Sequence, residues 1–72
     1  MLVKVNGKFV EIEENSNIEN LLEKLDIPKV RVAVELNGEA VSNSELLSKV
    51  LSDQDVLEIV RAIGGGWIVW RM

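Results

Sequence analysis

Apolar and polar residues alternate at the start of the chain. Val3 and Val5 are separated by Lys4, and Val10 and Ile12 alternate with Glu11 and Glu13. A period of two marks strands. Asn6-Gly7 lies between the two runs and is a preferred pair for a two-residue turn, because both positions tolerate positive φ. Residues Leu2 to Ile12 are therefore expected to form a β-hairpin. The period then changes. Ile18, Leu21, Leu22 and Leu25 fall at i, i+3, i+4 and i+7, which places them on one stripe of a helix predicted over Ser16 to Leu25. Ser16 and Glu19 have the spacing of a capping box, and Pro28 stops any continuation. Alternation resumes at Arg31 to Leu36, with Val32, Val34 and Leu36 on one face. Asn37-Gly38 is a second turn pair, leading into a short strand at Glu39 to Val41. A short helical segment is expected within Ser42 to Leu51, capped by Ser42 and Glu45, with Leu46, Leu47 and Val50 pointing inward. Ser52 to Asp55 reads as a polar turn and Val56 to Ile63 as the last strand.

The order is hairpin, helix, hairpin, short helix, strand. A helix-containing crossover separates the first strand from the last, so these two are expected to be central and parallel. The predicted class is α+β with a β-grasp arrangement: a mixed sheet of four to five strands with one main helix packed across it. The chain shows no internal repeat and no linker.

Seventy-two residues suit one domain. A domain this size buries only about 60% of the surface of its unfolded chain, which leaves little room for a private catalytic cavity beside the core. The chain has no cysteine and no histidine. Disulfides, thiolate metal sites and the commonest general base near neutral pH are thereby excluded. The expectation is a non-enzyme with no metal and no bound cofactor. The net charge is −4, with scattered basic residues, which argues against a nucleic-acid face and suits docking on a basic protein surface. Neither a signal peptide nor a run of roughly 20 apolar residues is present, so the reading is cytoplasmic. Glu13-Glu14 and Asp53/Asp55 are paired acids at expected turns and read as solvated turn residues. Asp53-Gln54-Asp55 lacks the rest of a calcium loop.

The informative feature is Gly64-Gly65-Gly66, directly after the last strand. Glycine has no Cβ and takes positive φ freely, so the run is either a loop to a further element or a thin tail that threads into a partner's catalytic channel. No Gly-Lys-Ser/Thr follows, which excludes a phosphate-binding loop. Val5-Asn6-Gly7, Val32 to Gly38 and Asp55 to Gly66, in that order and at this length, resemble the ubiquitin-like sulfur carriers, most closely the thiamine-biosynthesis (ThiS) branch. The resemblance covers nearly all of Met1 to Gly66.

It implies a mechanism. A carboxylate is a poor electrophile, so an E1-like, ThiF-like adenylyltransferase uses ATP to convert the terminal glycine to an acyl-adenylate. Sulfur from a persulfide displaces AMP, and the resulting thiocarboxylate supplies thiazole synthase, a ThiG-like partner. By position, Gly66 carries the sulfur and Gly64 and Gly65 are its flexible tether. The resemblance also implies docking through the sheet face away from the helix, with Val60, Ala62 and Ile63 as candidates and Phe9 beside them. Ubiquitin-like protein modifiers, carriers for molybdopterin or cysteine synthesis, and a non-catalytic interaction module remain as alternatives.

One departure stands out. After residues 1–66 the chain continues Trp67-Ile68-Val69-Trp70-Arg71-Met72. With Gly66 internal there is no carboxylate to adenylate, so the chain as written is expected to be inactive as a carrier. Two readings of residues 67–72 are carried forward. One is a propeptide removed by a processing protease. The other is a packing strand that folds back on the sheet or supports self-association.

Overall fold

The structure, a computed structural model, describes residues 1–63 and 66–69. β1 (Leu2–Val5) and β2 (Lys8–Glu11) form the first hairpin, followed by α1 (Ile18–Lys24), β3 (Val32–Leu36), β4 (Glu39–Ala40), α2 (Asn43–Leu46), β5 (Val56–Ile63) and β6 (Gly66–Val69). The sheet runs β2-β1-β5-β3-β4, and β6 pairs with β5. β1 lies parallel to β5, while the β1–β2, β3–β5, β3–β4 and β5–β6 pairs are antiparallel. The expected mixed sheet of four to five strands, with the central parallel pair, is present as β1–β5, β1 and β5 being that pair. β6 adds a sixth strand.

Both Asn-Gly pairs turn as their chemistry predicts. Asn6 and Gly7 have φ of 49 and 86, and Asn37 and Gly38 have 52 and 86. Positive φ at both central residues matches the right-handed twist of the flanking strands. Val3, Val5, Val34, Leu57 and Ile59 line the inner face of the sheet and pack against Ile18, Leu21 and Leu22 of α1. Ile12, Ile27, Leu46 and Leu51 close the core, and Leu25 packs at its edge.

Three local expectations are corrected. The cap of α1 is Asn17, one residue later than expected. Its side chain accepts from the Asn20 N–H at 2.8 Å, while the Asn20 side chain accepts from the Asn17 N–H at 2.9 Å. The Ser16 hydroxyl instead donates to the Glu13 carbonyl at 2.7 Å, so Asn–Asn reciprocity displaces the Ser–Glu box. In α2, Ser42 and Glu45 do form the predicted box and Leu46 is buried, but Leu47 and Val50 are exposed. The helix is only one turn long, too short to aim three residues inward, and Val50 instead bridges to Asn17. β3 starts at Val32 because Arg31 takes a positive φ of 58.

Candidate functional site

β5 is the strand that leads to the glycines. Leu57 and Ile59 anchor it, both fully buried. β1 covers one edge of its first half, with Lys4 opposite Val56 and Val5 opposite Leu57. β1 then ends, and the side chain of Asn6 continues the ladder: its Oδ1 accepts from the Ile59 N–H at 2.7 Å and its Nδ2 donates to the Ile59 carbonyl at 3.0 Å. Sequence reasoning assigned Asn6 to the turn alone. Its second task depends on a strand fifty residues away and leaves no local signal.

Along a strand, main-chain groups point alternately to the two neighbouring strands. Leu57 and Ile59 direct theirs toward β1 and Asn6, and the Ala62 N–H donates to the Arg31 carbonyl on the β3 side at 2.8 Å. Arg61 and Ile63 therefore direct theirs to the β1 side, beyond the reach of β1. β6 occupies that edge. Its register pairs Val60 with Val69, Arg61 with Ile68, Ala62 with Trp67 and Ile63 with Gly66. The last strand and the segment after it thus form an antiparallel hairpin. Gly64 and Gly65, the expected tether, lie outside the described residues, as do residues 70–72.

Gly66 is exposed. A Cβ built on it would meet nothing within 4 Å, and its backbone is not in the positive-φ region, in contrast to Gly7 and Gly38 at φ +86. The fold does not need a glycine there. A glycine inside a strand is unfavourable by about 0.5–1 kcal/mol relative to alanine.

Two of the expected docking residues, Val60 and Ala62, lie on the outer face of the sheet, by the alternation that turns Leu57 and Ile59 inward. Val60 and Ala62 are half-buried. Val60 lies opposite Ala33, and Glu58 opposite Glu35. Ala33, Glu35, Ala40, Glu58 and Val60 line a shallow groove. Ile63 ends β5 opposite Gly66. Phe9 is on the same face and 66% exposed, but it is not part of this patch. Phe9, Lys4 and Val56 form one row across β2, β1 and β5, with the Lys4 ammonium 5.6 Å from the Phe9 ring centroid. Val60 is four residues further along β5, roughly 13 Å at strand rise.

The acids at the turns hold backbone. Asp53 accepts from the Leu2 N–H at 2.8 Å, which holds its carboxyl below the ordinary range, with Gln54 adding to the effect. Asp55 accepts from the Ser52 N–H at 2.7 Å and from the Asn37 side chain at 3.0 Å.

Comparison with known proteins places this arrangement. The model of the ThiS family matches residues 3–66. The sulfur carrier protein ThiS of Bacillus subtilis (strain 168) is 33% identical over 66 residues, covering 90% of this chain and all of the carrier. A thiazole synthase of Paramagnetospirillum magneticum is 38% identical over 66 residues, covering 92% of this chain but only 20% of the synthase. The crystal structure of the thiamine biosynthesis protein ThiS from Geobacter metallireducens superposes with a TM-score of 0.77 at 33% identity, covering 92% of this chain and 100% of that one. With the family model matching residues 3–66 of the 72, and the sheet order and central parallel pair in place, the chain belongs to the ThiS family.

Proposed function

We propose that this chain carries sulfur for thiamine biosynthesis on the carboxylate of Gly66, once the bond between Gly66 and Trp67 has been cut. Membership of the ThiS family and 33% identity to a ThiS sulfur carrier support the carrier role. The observation that carries the assignment to Gly66 is conformational: neither φ nor packing requires glycine at that strand position, so its identity answers to something other than the fold. A slender end that enters a partner's channel is such a demand. An amide carbonyl inside the chain has no carboxylate to activate, and hydrolysis of the Gly66–Trp67 bond supplies one.

In this reading the chain is a substrate and not a catalyst, and it works in the cytoplasm. It holds no cofactor; ATP is consumed by an E1-like adenylyltransferase, and thiazole synthase receives the sulfur. The activating enzyme docks on the outer face around Val60 and Ala62. Glu35 and Glu58 oppose each other there, and like charges directly across a sheet are unfavourable. A basic partner surface relieves that repulsion on docking.

The test offers an E1-like enzyme and ATP to two forms of the protein, one of full length and one ending at Gly66. Adenylate is expected only on the shorter form. Adenylation of the full-length chain would contradict the requirement for a free carboxylate. Mass spectrometry of protein from its native cell is expected to show a species ending at Gly66, part of it heavier by the exchange of one oxygen for sulfur.

A further inference from the structure

The bond that must be cut lies inside a ladder and not in a loop. Gly66 is paired with Ile63 and Trp67 with Ala62, so the Gly66–Trp67 peptide bond sits between two registered pairs. Trp67, Ile68 and Val69, the residues on the far side of that bond, are all committed to β5. A protease binds its substrate as an extended strand through the main chain on both sides of the scissile bond. Those same groups of Ile68 are turned toward Arg61 in the hairpin, by the alternation established along β5. Both partners cannot hold them at once.

We infer that β6 is a latch: while it is paired with β5 the Gly66–Trp67 bond is closed to proteases, and processing proceeds through the fraction of molecules in which β6 has peeled away. The inference rests on the reading that Gly66 is released by hydrolysis. It adds that the rate of release is set within this chain, by the stability of a four-residue strand. Cleavage of a transiently opened state follows the population of that state when opening is fast, so strengthening the β5–β6 pairing slows maturation and weakening it accelerates it. Among the described residues the buried cluster lies within residues 3–59. β6 is a four-residue strand that pairs with β5 alone in the sheet, and short peripheral strands open locally without unfolding the domain.

The pairing can be locked chemically. Val60 and Val69 are opposite each other, and Val60 directs its main-chain groups to β3, so they form a non-hydrogen-bonded pair. Such pairs have Cα atoms about 4.5 Å apart, within the range a disulfide spans. The chain has no other cysteine, so the double variant Val60→Cys/Val69→Cys can form one bridge only. Subtilisin serves as a broad-specificity probe, with products identified by mass. Cuts between Gly66 and Val69 are expected to be at least tenfold slower in the oxidised variant than in the reduced one. A free peptide of residues 62–72 is expected to be cut at least tenfold faster than the intact chain. Amide exchange supplies an independent reading: the Arg61 and Ile68 N–H groups, each turned toward the other residue's carbonyl, should be protected, and those of Trp67 and Val69 should exchange freely. Equal cleavage of the oxidised and reduced forms, failure of the bridge to form, or equal cleavage of peptide and chain each overturns the latch. Adenylation of the wild-type chain ending at Gly66 separates the two ideas: if it fails, the carrier reading falls whatever the latch does, and if it succeeds while the latch tests fail, the carrier reading stands alone.

Discussion

Three glycines separate structural from functional demands at the residue scale. Gly7 and Gly38 sit at φ +86 in tight turns, where a Cβ is strained by about 1–2 kcal/mol. Gly38→Ala is expected to lower stability by that amount in urea denaturation, with no effect on adenylation beyond the loss of folded protein. Gly66→Ala is expected to do the reverse. The strand tolerates the methyl group, so stability holds or rises by up to about 1 kcal/mol, while adenylation of the chain ending at residue 66 falls sharply. A Gly66→Ala chain adenylated at the wild-type rate would remove the functional reason for glycine there. Asn6 is the other decisive residue. It supplies a turn conformation at φ 49 and both hydrogen bonds to Ile59. Asn6→Ala leaves a central strand with unsatisfied groups and is expected to cost about 1–3 kcal/mol.

At the scale of elements, the helix and the central strands hold the domain together, and the outer face is the surface proposed for docking. Leu57 is fully buried between α1 and the sheet, and Leu57→Ala is expected to destabilise by about 2–5 kcal/mol, the range for a cavity in a packed core. Glu58 points the other way from the same strand. Glu58→Gln removes the repulsion with Glu35, so the free domain is expected to gain about 0.2–1 kcal/mol while binding to a basic activating enzyme weakens. Calorimetry on the free domain and titration of the complex measure the two effects. Opposite signs would show that this face gives up stability for recognition.

Two surface interactions make small pH-dependent contributions to the stability of the whole molecule, at opposite ends of the pH scale. The Asp53 carboxyl is held below its ordinary value of 3.8 by the Leu2 N–H first and by Gln54 second. A pKa lower in the folded state stabilises above the unfolded value, and that contribution is lost as pH falls through the folded one. Asp53→Asn is expected to flatten the loss of stability below about pH 4. Lys29 is raised above 10.5 by its hydrogen bond to Glu19, 2.8 Å away. Its contribution is present below 10.5 and is lost as pH rises through the higher folded value. Both groups are exposed, so each effect is small and screened by salt. Among the described residues no helix is long and apolar enough to cross a membrane.

Period and turn chemistry are local, and they made most of the architecture legible in the sequence. The alternation in β1, β3 and β5, the stripe of α1 and the two Asn-Gly pairs each depend on neighbours within a few positions, and β5 runs from Val56 to Ile63 as its pattern predicts. Gly66 was legible as a candidate too, because it stands at a fixed place after the last strand. Contacts between distant segments were not legible. Whether Asn17 or Ser16 caps α1 was settled by which side chain met Asn20. The long-range role of Asn6 depended on Ile59 arriving beside it. Residues 67–72 had two readings, a propeptide or a packing strand, because an apolar run suits both. Only the tertiary structure showed that residues 66–69 pair with β5; that pairing is compatible with the proposed removal. β1 ends at Val5 while β5 runs on to Ile63, and a strand edge open to pairing draws in a segment able to complete the ladder, the place that β6 takes opposite Arg61 and Ile63.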